Sequence, residues 1–330
     1  MSHWLAFVVA LAVTALTAPL VRFGLARVNM IDVPTSRSSH TAPVLRGGGI
    51  AVAAGAIVAT AGQWSSQAFV AVAVSSALLG AVGLADDRLG LSAKTRLVAQ
   101  LAIPAGIMPL LLDGMSATRW WTWCFAALCV LWCAAFTNAF NFMDGVNGMA
   151  VAQTAVAGVG LAVVGNHIGL TALAVAGLAI AGAAAAFGPF NLPVAIMFLG
   201  DVGSYFIGAW LAVLALIAVR NSVPPEVIVA PFLVYLLDTS TTLIRRARRG
   251  EHLFQAHREH AYQRLVQLGW SHAKTALIAG ISMAASTAVM LLFIDAGPVA
   301  RGIAFVAALG FAVAFVALPN SRVSSKIAPS

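Results

Sequence analysis

Charged side chains are scarce in this chain. Lys, Arg, Asp and Glu make up 9% of its 330 residues, while 61% are hydrophobic. A soluble domain carries about a quarter charged residues, so a cytosolic or secreted globular protein is excluded. No charged stretch is long enough to mark a separate water-soluble domain. Acids are the rarer sign, 11 against 19 Lys and Arg. In so apolar a chain the net +8 does not point to nucleic acid; it reads as basic loops held on one side of a membrane. Only three cysteines occur, Cys124, Cys129 and Cys133, all in one apolar run. That excludes a framework of extracellular disulfides and fits small buried hydrophobes. A basic leader is missing too. The chain opens Met1-Ser2-His3-Trp4, and Arg22 and Arg27 follow the first apolar run, which predicts an uncleaved first helix with its N-terminus outside. There is no repeat of 20–50 residues and no echo between halves, which counts against an inverted-repeat transporter.

What the chain has in abundance is apolar runs. A span takes about 20 such residues, and eleven candidates lie near 4–23, 47–64, 67–85, 97–112, 119–137, 148–165, 168–187, 203–219, 226–244, 274–293 and 298–318. The fold class expected is all-α: a polytopic integral membrane protein of about 11 transmembrane helices, one domain over 1–330. With the N-terminus outside, the inner loops are about 24–46, 86–96, 138–147, 188–202 and 245–273. Of the 19 Lys and Arg, only Arg119, Arg220 and Arg301 then fall outside, a strong orientation signal.

Five carboxylates sit where apolar runs stop or just inside one: Asp86, Asp87, Asp144, Asp201 and Asp238. Ionised groups in or near lipid are costly and need a reason. Asp86-Asp87, with Lys94 and Arg96 close behind, can hold Mg²⁺, act as a base, or form an ion network that anchors a helix end. Asn138, Asn141 and Asp144 recur at i, i+3, i+6 and share one helix face. They offer donors and acceptors for a base, ribose or sugar amide, with Gly145 giving close backbone approach. The ordinary alternative is a polar helix end and a turn. Asp201, in Gly200-Asp201-Val202-Gly203-Ser204, is either a hard oxygen ligand for Mg²⁺ shared with phosphates or an N-cap. The Gly203-Ser204 amides suit an anion. Arg245, Arg246, Arg248 and Arg249 read as an anchor for anionic lipid, whereas His257, Arg258 and His260 fit pyrophosphate recognition. His40 and Arg46, in a loop of cations, hydroxyls and three glycines, face the same compartment.

These motifs, in this order from RSSHTAPVLRGGG to HREHAYQRL, resemble the polyprenyl-phosphate N-acetylhexosamine-1-phosphate transferases, glycosyltransferase family 4. The likeness is strongest to the bacterial branch that starts O-antigen or related envelope glycans. The peptidoglycan branch typically carries three consecutive histidines where this chain has His257-Arg258-Glu259-His260, and a third acid where it has Arg88. The resemblance implies transfer of N-acetylhexosamine 1-phosphate from a UDP-sugar to undecaprenyl phosphate, with release of UMP. It further implies Mg²⁺ (Mn²⁺ substituting) at Asp201, the Asp86/Asp87 pair near the lipid phosphate, and Lys94 on a phosphate. Asn141, Asp144 and Asn147 would lie on the nucleotide side, and His257, Arg258 and His260 on the pyrophosphate or sugar. The active site is expected on the cytoplasmic face of a bacterial inner membrane, in contact with membrane lipids. The alternatives are the phospho-N-acetylmuramoyl-pentapeptide transferase of peptidoglycan synthesis and, from another class, an ion- or proton-coupled transporter. Which UDP-sugar is used, and whether the protein forms a homodimer, stay open at this point.

Overall fold

The computed structural model describes residues 3–34, 42–252 and 257–327. Among them, nine helices are long and apolar enough to cross a membrane: α1 (His3–Arg27), α3 (Gln67–Leu89), α5 (Trp120–Met143), α6 (Met149–His167), α7 (Thr171–Asn191), α8 (Gly200–Arg220), the run formed by α9 (Pro225–Val229) and α10 (Leu233–Arg248), α12 (His272–Leu292) and α13 (Pro298–Ile327). A 3-10 turn at Ala230–Phe232 separates α9 from α10 around Pro231, which has no N–H to continue the helical ladder. The two remaining expected spans are helices of a different kind. One, α2 (Gly49–Ala59), has only 11 residues. The other, α4 (Ala93–Leu111), has 19, but it opens with Lys94 and Arg96 and contains Pro104 and Pro109. A last short helix, α11 (Ala261–Gln267), follows the basic loop.

The centre of the bundle is α8. Its apolar window is 94% buried, against 22% for α1 and 28% for α13, because α8 is apolar around its whole circumference. It packs on α3, α5 and α2. Large side chains on the periphery, such as Trp4, Leu16, Leu128, Leu292 and Val299, are exposed, as a lipid-facing surface requires. Cys129 and Cys133 are buried as expected, whereas Cys124 is exposed.

Three very short strands depart from a purely helical reading. Strand β1 (Ile31–Asp32) pairs antiparallel with β2 (Val44–Arg46), Ile31 opposite Leu45; β2 pairs parallel with β3 (Met197–Phe198), Leu45 opposite Met197. Two or three residues are too few for alternation to register in a sequence. Their effect is to fasten the segment before α2 to the segment before α8. Gly48 N–H donates to the Phe198 carbonyl and Gly49 N–H to Leu199, both at 2.8 Å.

The seating of α3 against the start of α8 depends on two glycines. Any Cβ on Gly83 would collide with the Asp201 backbone carbonyl, so only glycine permits this crossing. Gly200 has φ +78°, a left-handed conformation that side chains resist, and it turns the chain from β3 into α8. One helical turn beyond Gly83, Asp87 then arrives at the N-terminus of α8.

Candidate active site

The five segments assigned to one side of the membrane converge at one end of the bundle, around a cavity of about 740 Å³. Asp32 and Arg46 line it from the first loop, Ala93 and Arg96 from the second, and Asn138, Asn141, Asp144, Gly145 and Asn147 from the third. Asn191 and Asp201 come from the fourth, and His257, His260 and Gln263 from the last. Apolar side chains of α4, α5 and α10, among them Leu97, Phe142, Leu236 and Leu243, complete one wall.

The acidic pair is divided between two tasks. The Asp87 carboxylate, fully buried, accepts the Asp201 N–H and the Val202 N–H, each at 3.0 Å. It thereby satisfies two of the donors that every helix start leaves unpaired and places a negative charge at the positive end of the α8 dipole. These two amides serve Asp87 rather than a substrate anion. Asp87 also pairs with Arg46 Nε at 2.5 Å. Asp86 accepts from the Leu91 N–H at 2.8 Å, Arg96 at 3.1 Å and the Tyr205 hydroxyl at 3.4 Å. Neither carboxylate is among the residues lining the cavity. Each instead anchors an arginine that does, Asp86 holding Arg96 and Asp87 holding Arg46.

Asp201, in the first turn of α8 rather than capping it, faces the cavity. Its Oδ1 accepts from the Asn141 amide at 2.8 Å and its Oδ2 pairs with Arg46 Nη2, also at 2.8 Å. Asn141 reaches the buried Ser204 hydroxyl at 2.9 Å as well. Asn138 donates to Gln100 and to the Ala134 carbonyl. Asp144 lies just past the end of α5, where burial first, and then the charge of Asp201, pushes its carboxyl well above the usual range despite the opposing pull of Arg46. Burial works against the charge on Arg46, but Asp201, Asp87 and Asp32 outweigh it and hold the guanidinium firmly protonated. A divalent cation would find hard oxygen donors at Asp201 and Asp144. Among the described residues no three His, Cys, Asp or Glu side chains form a cage of their own. Asp201 and Asp144 match the one or two carboxylates that commonly bind Mg²⁺ together with substrate phosphates.

Gly145 touches the side chain of Tyr262 so closely that a Cβ would collide with the hydroxyl, which donates to the Phe142 carbonyl at 2.8 Å. Gly145→Ala is therefore expected to cost about 1–3 kcal/mol through overpacking and to slow turnover. Tyr262→Phe in the same chain should recover most of both. Thermal melts and rates of the single and double variants check this. Asn147 and Gly148 are held by their backbone amides, which donate to His272 at 3.4 Å and to buried Asn191 at 2.6 Å. Neither partner was evident from sequence, since both lie far along the chain.

Asp238 has a structural task. Fully buried, it accepts from the Ala261 N–H at 2.8 Å and the Tyr262 N–H at 3.4 Å, and lies 3.4 Å from His260 Nδ1. It fixes the start of α11 and with it the pair His257 and His260, whose rings stand 5.0 Å apart. Asp238→Ala should leave two amides unsatisfied, lower stability by about 1–3 kcal/mol and speed proteolysis between 249 and 260. Burial, then the neighbouring His260 and Arg246, drives His257 down to about 4. Its Nδ1 accepts the Glu259 N–H, so at neutral pH it presents a neutral ring with Nε2–H to donate.

The arginine cluster differs from the expected lipid anchor. Arg246, 5% exposed, pairs with Glu251 at 2.8 Å and Glu259 at 2.6 Å. Arg249 pairs with the same two glutamates, and Arg245 donates to Thr242 and the Glu259 carbonyl. Burial opposes the charge on Glu259, but the two arginines prevail and hold it below its ordinary value. The cluster ties the end of α10 to Glu251 and to Glu259, the latter between His257 and His260. Lys94 is exposed, and neither it nor Arg258 is among the lining residues. His40 lies outside the described residues.

The family model for glycosyl transferase family 4 matches residues 69–219, which include Asp86, Asp87, Asn141, Asp144 and Asp201. Over these residues the chain is similar to glycosyl transferase family 4, and the enzyme names of its relatives, with nine apolar helices among the described residues, mark it as a multi-pass membrane enzyme. Among curated relatives, it is 27% identical over 285 residues to a probable undecaprenyl-phosphate N-acetylglucosaminyl 1-phosphate transferase of Bacillus subtilis, covering 83% of this chain and 80% of the relative. It is 28% identical over 360 residues to a decaprenyl-phosphate N-acetylglucosaminephosphotransferase of Mycolicibacterium smegmatis, covering 91% and 87%. A phospho-N-acetylmuramoyl-pentapeptide-transferase of Limosilactobacillus fermentum is 27% identical over 180 residues, covering 53% and 54%.

Proposed function

We propose that the protein transfers N-acetylhexosamine 1-phosphate from a UDP-sugar to undecaprenyl phosphate, at the cytoplasmic face of a bacterial inner membrane, and so begins an O-antigen or related envelope glycan. The carrying observation is the convergence of Arg46, Arg96, Asn141, Asp144, Asp201, His257 and His260 on one cavity with an apolar wall. Such a cavity accepts a polar nucleotide and a lipid-borne phosphate together. Relatives named for N-acetylglucosamine 1-phosphate transfer match over four fifths or more of this chain. The one named for the pentapeptide reaction matches over about half. That difference favours the first reading.

The chemistry joins two anions, so their repulsion is the main barrier and fixed cations are the main need. A lipid phosphate oxygen attacks the β-phosphorus of the UDP-sugar. The new P–O bond forms as the bond from the β-phosphorus to the bridging oxygen breaks, and UMP leaves with the electron pair. A phosphate monoester has its second pKa near 6, so at neutral pH the nucleophile is already largely the dianion and needs no strong base. In this reading Arg96 and Arg46, aimed by Asp86 and Asp87, neutralise phosphate oxygens, while the neutral His257 donates to the pyrophosphate or sugar. Asn141 and Asp144 face the nucleotide. Asp201 would hold a Mg²⁺ ion, which supplies charge neutralisation across the phosphates when bound.

The test is UMP release from a panel of UDP-N-acetylhexosamines, with and without undecaprenyl phosphate and Mg²⁺. Release that needs all three components supports the proposal. Release without lipid acceptor, or none with any UDP-sugar, would sink it.

A further inference from the structure

Arg46 bridges carboxylates on two different helices, with Nε on Asp87 and Nη2 on Asp201 Oδ2. The other oxygen of Asp201 accepts from Asn141. A divalent cation approaching Asp201 therefore meets a carboxylate that already carries a positive partner. Two cations on one oxygen repel by several kcal/mol at contact unless water screens them, so Arg46 and a metal do not share that position freely. The surroundings give the guanidinium somewhere to go. Arg46 and Asp32 line the site cavity and also an adjoining cavity of about 420 Å³, walled by the ends of α1 and α3. The Arg46 side chain is 33% exposed, so it is not wedged in place.

We propose that Arg46 is an exchangeable counter-ion for Asp201. Without metal, its Nη2 neutralises Asp201. When a divalent cation takes that carboxylate, Arg46 pivots about its Nε contact with Asp87 and frees its Nη atoms toward Asp32 and the cavity, where they bind a phosphate oxygen. Arg46 thereby weakens binding of the metal alone and strengthens binding of the metal together with phosphate. The inference rests on the reading of Asp201 as the carboxylate that holds the cation.

The test uses the full chain in detergent, with Mn²⁺ as the probe and its free concentration read by electron paramagnetic resonance. Arg46→Gln is expected to tighten Mn²⁺ about tenfold in the absence of substrate, a difference of about 1.4 kcal/mol, and to weaken inorganic pyrophosphate in its presence. Arg46→Lys, a point charge that cannot bridge both carboxylates, should fall between. Unchanged or weaker Mn²⁺ binding in Arg46→Gln overturns the exchange. Asp201→Asn separates the two readings: if it binds Mn²⁺ like the wild type, the metal assignment fails rather than the exchange. In the wild type itself, Mn²⁺ should raise labelling of Arg46 by phenylglyoxal several-fold, as read by mass spectrometry. Absence of that rise overturns the proposal even if Arg46→Gln does not fold.

Discussion

Asp201→Asn is expected to lower UMP release by about a thousandfold, equivalent to about 4 kcal/mol of barrier, while the protein melts close to the wild-type temperature. Asparagine keeps an oxygen for the Asn141 amide, and Arg46 retains its contact with Asp87, so the start of α8 stays in place. What disappears is the charge that would hold a divalent cation against the phosphates, and losses of this size are typical when transition-state charge goes unneutralised. Rates across a Mg²⁺ titration, with a parallel thermal melt in detergent, measure both quantities. A variant that keeps more than about a tenth of the wild-type rate would move the cation to another residue, with Asp144 first in line.

Asp87→Ala should fail in the opposite way, by losing the fold before the chemistry can be assessed. Its carboxylate is fully buried and satisfies the Asp201 and Val202 amides along with Arg46. Removing one partner of such a pair leaves the other charge stranded, at about 3–5 kcal/mol, a large share of the stability of any domain. Asp87→Asn keeps an acceptor for one amide and should lie between. Yield, monodispersity and melting temperature in detergent decide the matter. A well-folded but inactive Asp87→Ala would return this residue to direct contact with substrate. The contrast between adjacent residues is informative here. Asp86 and Asp87 look like a pair in sequence, yet the helix turns them toward different partners, Tyr205 with Arg96 on one side and the α8 amides with Arg46 on the other.

The spans were legible because burial in lipid leaves a signal that runs for about 20 residues. The grouping of the loops was legible from Arg and Lys, since only Arg119, Arg220 and Arg301 break the pattern. The cavity's acids and amides stood out because polar groups are rare at such boundaries. Other features left no local trace. The three strands are two or three residues long, so no periodicity could reveal them. Asn191 and His272 support the 144–148 loop from 43 and 125 residues away, and only the fold makes them neighbours. The basic run at 245–249 was misleading for a related reason. Glu251 and Glu259 are close enough in sequence to be read as part of the same loop, but only its folding converts a positive cluster into an internal ion network.

The cavity wall runs from Asp32 to Gln263, and this has a consequence for biogenesis. Residues from the first loop and from the segment after α10 both line the cavity. The helix that carries the latter, α11, leans on α12 and α13, with Arg264 reaching Asn320 at 2.9 Å. A chain with α8 and Asp201 in the membrane but α13 not yet made would lack this support for α11, so the His260 side of the cavity depends on the packing of α12 and α13.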